Sequence, residues 1–316
     1  MDKNNFIKRL PFPLLKLLVK LFRKSNRIYE RLEFVYHSKI SDNNIASVRS
    51  EQVESVSPQD MNTVFVLSTG RCGTKTLTWL MDTHTSVSSH HEPHPQLIEI
   101  SYLYFMHLCP EISHRFWQSL LEWNRDSLIE SAWDSERVYF ESNNRLALIA
   151  DLMASRYEKA KFIHLVRHPY RFVHSAMRRK YYHSHVWDFT RIHPRPGEPY
   201  ADLWDKLSNV EKCAWLWMQT NTNIQNILET LPQERKLFVQ SEKIFSGDTE
   251  TIRSLFQFVS GGENTPPQKQ IEKVLGSKIN KQYSGSFPPP DEWDAETIAM
   301  VNKHVHKLMD KFGYGV

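Results

Sequence analysis

Short apolar runs, each too brief for a helix and each followed by a stretch long enough to hold one, limit what this chain can fold into. TVFVL (63–67) is apolar at consecutive positions and β-branched, as a strand covered on both faces of a parallel sheet must be. RVYFES (137–142), KFIHLVR (161–167) and KLFVQSE (236–242) read as further strands. Between them, Thr74 to Met81 begins a helix. NNRLALIADLMASRY (143–157) sets Leu146, Ile149, Leu152 and Met153 on one helical face behind an Asn cap. Ser208 to Leu231 carries Val210, Ala214, Trp217, Ile224 and Leu228 as one stripe. Strands alternating with helices at this spacing predict an α/β chain with a central parallel sheet flanked by helices.

Size and composition agree with one large domain. The chain has 316 residues, 40% hydrophobic and 24% charged, enough to bury a core without disulfides or metals. A net charge of +4 is too mild to argue for nucleic acid and suits an anionic small molecule. Cys72, Cys109 and Cys213 are odd in number and far apart, so neither a disulfide framework nor a zinc site is expected, and a reducing, cytoplasmic setting is the simplest expectation. No window is apolar enough for a spanning helix. Residues 6–27, FIKRLPFPLLKLLVKLFRKSNR, instead read as a basic amphipathic helix. It is suited either to the inner surface of an anionic membrane or to docking on the protein's own body. Residues 40–62 are polar and rich in helix breakers, so the expected division is an N-terminal segment and linker over 1–60 and a domain over 61–316.

After the first strand comes STGRCGTKT (68–76). A loop of this kind at a helix N-terminus aims backbone N–H groups at an anion, aided by the helix dipole. An ATP or GTP loop requires G-x-x-x-x-G-K-[ST], and both glycine positions fail, being Thr69 and Thr74 ahead of Lys75. What remains is a guanidinium at Arg71 before the turn, Gly73 where backbone must approach closely, and Thr74, Lys75 and Thr76 after it. A Thr-capped helix with incidental basic residues is the alternative. A second cluster strengthens the anion reading. The third of these strands ends at Arg167, Pro169 starts the next helix, and Ser175 lies six residues on, about 9 Å along the axis. Arg167 and Ser175 can therefore converge on one anion.

These two clusters, in this order and about a hundred residues apart, resemble the 5′-phosphosulfate loop and the 3′-phosphate site of sulfotransferases that use 3′-phosphoadenylyl sulfate (PAPS). EKCAWLWMQTN (211–221), VQSEKIF (239–245) and the terminal KLMDKFGYGV extend the resemblance to bacterial-type members over about residues 60–316. It implies a P-loop-like sulfotransferase fold and PAPS as co-substrate. The released product is then adenosine 3′,5′-bisphosphate, with no metal required. Arg71, Cys72, Gly73, Thr74, Lys75 and Thr76 would form the first site, and Arg167 with Ser175 the second. Small-molecule members of the cytosolic branch carry Lys where this chain has Arg71, a departure that points away from them.

Sulfuryl transfer also needs a base for the acceptor proton. SSHHEPHP (88–95) follows the first helix, where a second strand should end facing the nucleotide. The resemblance implies Glu92 as that base, with His91, His90 and His94 as rivals because imidazole titrates near neutrality. Lys278, Lys281, Tyr283 and Ser284, in a Ser-Gly turn before prolines, match the place where related enzymes close a loop over the nucleotide. The acceptor segment is expected in 181–204, whose aromatics, His and Arg suit a glycan or glycolipid. A P-loop kinase or hydrolase, and a non-catalytic nucleotide- or glycan-binding module, are the competing functions.

Overall fold

In the computed structural model, residues 56–262, 265–277 and 286–315 are described, and they fall in one compact unit. Five parallel strands make one sheet: β1 (Thr63–Leu67), β2 (Val87–His91), β3 (Val138–Ser142), β4 (Lys161–Val166) and β5 (Lys236–Gln240). Their order is β2-β3-β1-β4-β5. Eleven α-helices accompany them among the described residues: α1 (Thr74–Met81), α2 (Ile98–Phe105), α3 (His114–Leu121), α4 (Ser127–Asp134), α5 (Ala150–Arg156), α6 (Pro169–Arg178), α7 (Asn209–Glu229), α8 (Ser241–Phe245), α9 (Thr249–Ser260), α10 (Gln268–Leu275) and α11 (Ala295–Lys311).

The apolar runs are explained by helices on both faces. Phe65, Leu67, Tyr139 and Phe162 pack to one side against Leu121, Ile129, Leu152 and Ile224. Val64, Val66, Phe140, Ile163 and Leu165 point to the other, against Leu77, Leu80 and Phe256. A strand sandwiched in this way has no solvent face and needs no polar alternation. Adjacent strands β1 and β4 pair with Val66 opposite Ile163, and the chain leaves β1 toward β2 but β4 toward β5. Connections that diverge from neighbouring strands leave a crevice at the carboxyl ends, the usual ligand position in open α/β sheets.

Local expectations were met in most places and corrected in three. The long helix α7 runs as read, begun by a capping box in which the Ser208 hydroxyl accepts from the Glu211 N–H while Glu211 accepts from the Ser208 N–H. The single helix expected over 143–157 is two pieces, a 3-10 turn at Asn144–Leu148 and then α5. Leu146, Ala147, Leu148, Ile149 and Ala150 are all buried. One α-helical stripe cannot bury five consecutive residues, so the chain changes pitch there. The strand read over 236–242 stops at Gln240, and Ser241 and Glu242 open α8 instead, while the one read over 161–167 ends at Val166. Among the described residues no helix is long and apolar enough to cross a membrane. The N-terminal segment 6–27 lies outside the described residues, as do Lys278, Lys281, Tyr283 and Ser284.

One buried histidine couples the sheet to protons. His164 on β4 is 4% exposed, and its Nε2 donates to Asn221 Oδ1 at 2.9 Å, since the Asn221 amide nitrogen already donates to the Trp217 carbonyl. Burial lowers its pKa to about 4. The unfolded chain therefore binds the proton first, so stability is full above about pH 6.5 and falls as pH drops toward 4, by roughly 3 kcal/mol for this group. Denaturant unfolding followed from pH 7.5 to 4.5 should show that decline. His164→Gln should flatten it by up to about 1.4 kcal/mol per pH unit, and an unaltered slope would remove His164 from the account.

Candidate functional site

The crevice is built by the turn after β1. Gly70 (φ 72°), Arg71 (φ 58°) and Gly73 (φ 81°) all occupy the left-handed region, and Gly73 is the N-cap of α1. Three such residues in four fold the backbone tightly back on itself, ending where the helix's first N–H groups are unpaired. Glycine accounts for two of them without strain. Arg71 is an L-residue with a Cβ, so its conformation costs about 1–2 kcal/mol and must be held from outside. It is held twice. Arg167 Nη1 donates to the Arg71 carbonyl at 2.8 Å, and Arg71 Nε donates to Ser175 Oγ at 3.1 Å.

The two clusters, read from sequence as separate groups, thus meet directly. Arg71, Gly73, Thr74, Lys75 and Thr76 line one cavity of about 830 Å³ together with Arg167 and Ser175. Cys72 does not face it. Its side chain is in the core, its Sγ donates to the Gly70 carbonyl, and burial raises the thiol to about 11. Cys72 is therefore a packing residue of the turn that can offer only its backbone. Lys75 Nζ sits 5.5 Å from the centre of the Trp79 ring, a cation–π contact that steadies it at the cavity wall. Burial, followed in size by neighbouring charges that include Arg179 and Arg167, lowers the Arg71 pKa. The guanidinium still carries its charge at any physiological pH.

Sequence reading missed several residues here. Arg171, His174 and Arg178 from α6 line the same cavity, three further basic groups one or two helical turns past Pro169. Their spacing on one helix face was visible in RFVHSAMR. Phe245, at the end of α8, carried no local signal. A Cβ built on Gly73 would lie 2.2 Å from its Cζ, so the ring rests over the turn, and at 47% exposure it still presents surface to the cavity.

The second strand ends as expected, and the three histidines separate. His90 stacks on Tyr139 with centroids 5.0 Å apart and bonds Ser88 Oγ at 3.1 Å; it lines neither cavity. His94 is exposed and likewise outside both. His91 does line the first cavity, with Nδ1 2.9 Å from Ser142 Oγ. Its pKa is lowered, chiefly by burial, so it is neutral at pH 7. Glu92 has φ 48°, and its N–H donates to the Ser142 carbonyl at 3.0 Å, continuing the β2–β3 ladder one step past the strand. With Asn144 and Tyr181 it lines this cavity and also a second one of about 380 Å³. Glu92 is the sole carboxylate on either wall among the described residues.

A scan against protein-family models finds no match, and neither does a search of curated protein sequences. Solved structures are similar. The sulfotransferase domain of the Synechococcus PCC 7002 olefin synthase is 17% identical with a TM-score of 0.49, over 84% of this chain and 98% of that one. A sulfotransferase from Alicyclobacillus acidocaldarius is 16% identical with a TM-score of 0.45, over 80% and 96%. Sulfotransferase STF9 from Mycobacterium avium is 10% identical with a TM-score of 0.47, over 87% and 80%.

Gly73 is the position where this geometry is easiest to break. Gly73→Ala should lower the unfolding free energy by about 1–2 kcal/mol from the left-handed backbone alone. It should also push the Phe245 ring off the turn. Adding Phe245→Ala should relieve only the second effect, leaving the backbone cost. Chemical denaturation of the single and double variants checks this, and a Gly73→Ala protein as stable as the parent would mean the turn is built differently.

Proposed function

We propose that this protein is a sulfotransferase that moves a sulfuryl group from PAPS to a hydroxyl or amine of an acceptor and releases adenosine 3′,5′-bisphosphate. The observation that carries the reading is the Arg71–Arg167–Ser175 contact. It sets two guanidinium groups from the ends of neighbouring strands on one cavity, at the start of a helix whose first N–H groups are free of helix partners. A polyanionic nucleotide with phosphate groups on the 3′ and 5′ oxygens of its ribose matches that donor set. The first turn of α1, with Arg71 and Lys75, suits the 5′-phosphosulfate. Arg167 and Ser175, with Arg171 and Arg178 nearby, suit the 3′-phosphate, and the Phe245 ring suits the adenine face.

In the reaction the acceptor oxygen bonds to sulfur as the bond from sulfur to the phosphate oxygen breaks. The electron pair leaves with the phosphate, and the acceptor proton passes to a base. Arg71 and Lys75 act on the charge growing on the leaving phosphate. Glu92 is the proposed base. It lines both cavities and so reaches a group between nucleotide and acceptor. His91 is neutral and nearby, and stands as the rival. The domain proper is assigned to 61–316. Residues 1–60, through 6–27, are proposed to bring the cytoplasmic enzyme to a membrane surface, where a glycolipid acceptor lies within reach.

Titration of adenosine 3′,5′-bisphosphate by calorimetry, with transfer of labelled sulfate from PAPS, tests the core of this reading. Arg71→Ala should cut turnover at least about a hundredfold, the usual effect of losing one preorganised donor to a developing oxyanion. Glu92→Gln should abolish turnover and leave nucleotide affinity intact. Loss in His91→Ala instead moves the base to His91, and full activity in both variants refutes general-base catalysis by this strand end. A protein that binds the nucleotide but transfers nothing is the binding module.

Deleting residues 1–40 should reduce sedimentation with anionic vesicles while preserving activity, and unchanged sedimentation ends the membrane proposal.

A further inference from the structure

The second cavity has its own chemistry. Three arginines line it (Arg145, Arg179 and Arg191), against one carboxylate, Glu92, at its boundary with the first cavity. Arg191 is already matched: its Nε donates to Asp188 at 2.7 Å, and its guanidinium lies 3.5 Å from the centre of the Tyr181 ring. The other two are not. Arg145 donates to the Thr190 carbonyl at 3.1 Å and to the Thr190 hydroxyl at 3.4 Å, both neutral acceptors. Arg179 Nε is buried with no hydrogen-bond partner among the described residues. Burial, then the charge of Arg191, lowers the Arg145 pKa. His185, in the same wall, is depressed to about 4 by burial and then by Arg191, with Arg179 and Arg145 adding to it. Leu148, Ile192 and Leu216 line the same cavity with apolar surface.

A desolvated guanidinium without a counter-charge is costly, and an anion that supplies two charge-assisted hydrogen bonds removes that cost. We propose that this cavity receives the acceptor, and that the acceptor carries an anionic head group held by Arg145 and Arg179 on an apolar body packed against Leu148, Ile192 and Leu216. In naming an acceptor the proposal rests on the sulfuryl-transfer reading. The anion site itself does not. A volume of about 380 Å³ fits a small amphiphilic acid or the terminal unit of a larger one. Because Glu92 lines both cavities, the group to be sulfated would lie beside it.

A matched pair of fluorescent probes isolates the charge. 8-Anilinonaphthalene-1-sulfonate and neutral N-phenyl-1-naphthylamine differ by the sulfonate alone. Both are titrated into the full chain, with and without saturating adenosine 3′,5′-bisphosphate. The sulfonate should bind at least about tenfold tighter than the neutral probe, the worth of one charge-assisted contact. Arg179→Gln should erase that advantage and Arg179→Lys should retain part of it, with circular dichroism confirming that both variants fold. Displacement by decanoate or by decyl phosphate then names the head group as carboxylate or phosphate. Equal affinity for the two probes, or an advantage that survives Arg179→Gln, overturns the proposal. So does loss of the sulfonate when the nucleotide saturates, because the arginines would then serve the nucleotide. A protein that ignores the nucleotide yet keeps the charge-dependent probe pattern loses the sulfotransferase reading and keeps the anion site.

Discussion

Everything at the carboxyl edge of the sheet depends on how Arg167 is held. Its carbonyl accepts from Trp217 Nε1 at 2.9 Å, fixing the end of β4 to α7, and its side chain donates to the Arg71 carbonyl. One residue on, the His168 N–H donates to Glu242, which also accepts from the Tyr314 hydroxyl at 2.8 Å. The C-terminal Tyr314 reaches back to the Val166 carbonyl at 3.2 Å as well. Five segments far apart in sequence are thus tied within one turn of β4. The consequence is electrostatic. Two guanidinium groups that would repel each other are kept together by donating to a carbonyl and a hydroxyl, neither of which neutralises them. An anionic ligand would relieve that unbalanced charge.

A second anchor holds the loop that bears Glu92. Arg125 and Glu141 are both fully buried and form a bidentate pair at 2.7 and 3.0 Å. The carboxylate also accepts from the Tyr139 hydroxyl and the Asn143 amide. Arg125 then extends Nη1 to the Pro95 carbonyl, and Asn143 donates to the Gln96 carbonyl. So the loop after β2 is fastened at Pro95 and Gln96 by this network and at Glu92 by Ser142. A buried pair of this kind adds little net stability, since desolvation offsets most of the attraction. Its effect is geometric: removing either partner strands a charge in the core, so the network has one arrangement, and the loop inherits it.

The sheet was legible because burial on both faces leaves consecutive apolar residues, as in TVFVL, and the helix α7 because Val210, Ala214, Trp217, Ile224 and Leu228 keep one stripe along it. Arg71, Gly73 and Arg167 were legible for a similar reason, each sitting at a strand end or the start of a helix, and Ser175 because Pro169 fixed where its helix begins. The split of 143–157 was not, because its cause is tertiary. The pitch changes so that Leu146 to Ala150 can all turn inward, while Asn144 and Arg145 are delivered to the cavities. Phe245 over Gly73 joins two segments over a hundred and seventy positions apart, and Arg125 pairs with Glu141 across a π-helical turn. No local periodicity or motif announces either contact. Cys72 departs from its neighbours for the converse reason: Gly70 and Arg71, both left-handed, turn the chain so that its side chain enters the core while theirs line the cavity.

The arrangement of the two cavities also constrains the chemistry. In-line transfer requires the incoming oxygen and the leaving phosphate oxygen to lie on opposite sides of sulfur. A single cleft open to water would leave that alignment to chance and expose the sulfuryl group to hydrolysis. Here the Arg71 side and the Arg145 side are different chambers, and the residues common to both are Glu92, Asn144 and Tyr181. In the proposed reaction, transfer between occupants of the two chambers would take place beside those shared residues. Of the three, Glu92 alone carries a carboxylate, and its backbone is fixed by the Ser142 carbonyl. The base would therefore be placed by the backbone of the sheet, so the same hydrogen-bond ladder that makes the fold would also set the point at which the acceptor loses its proton.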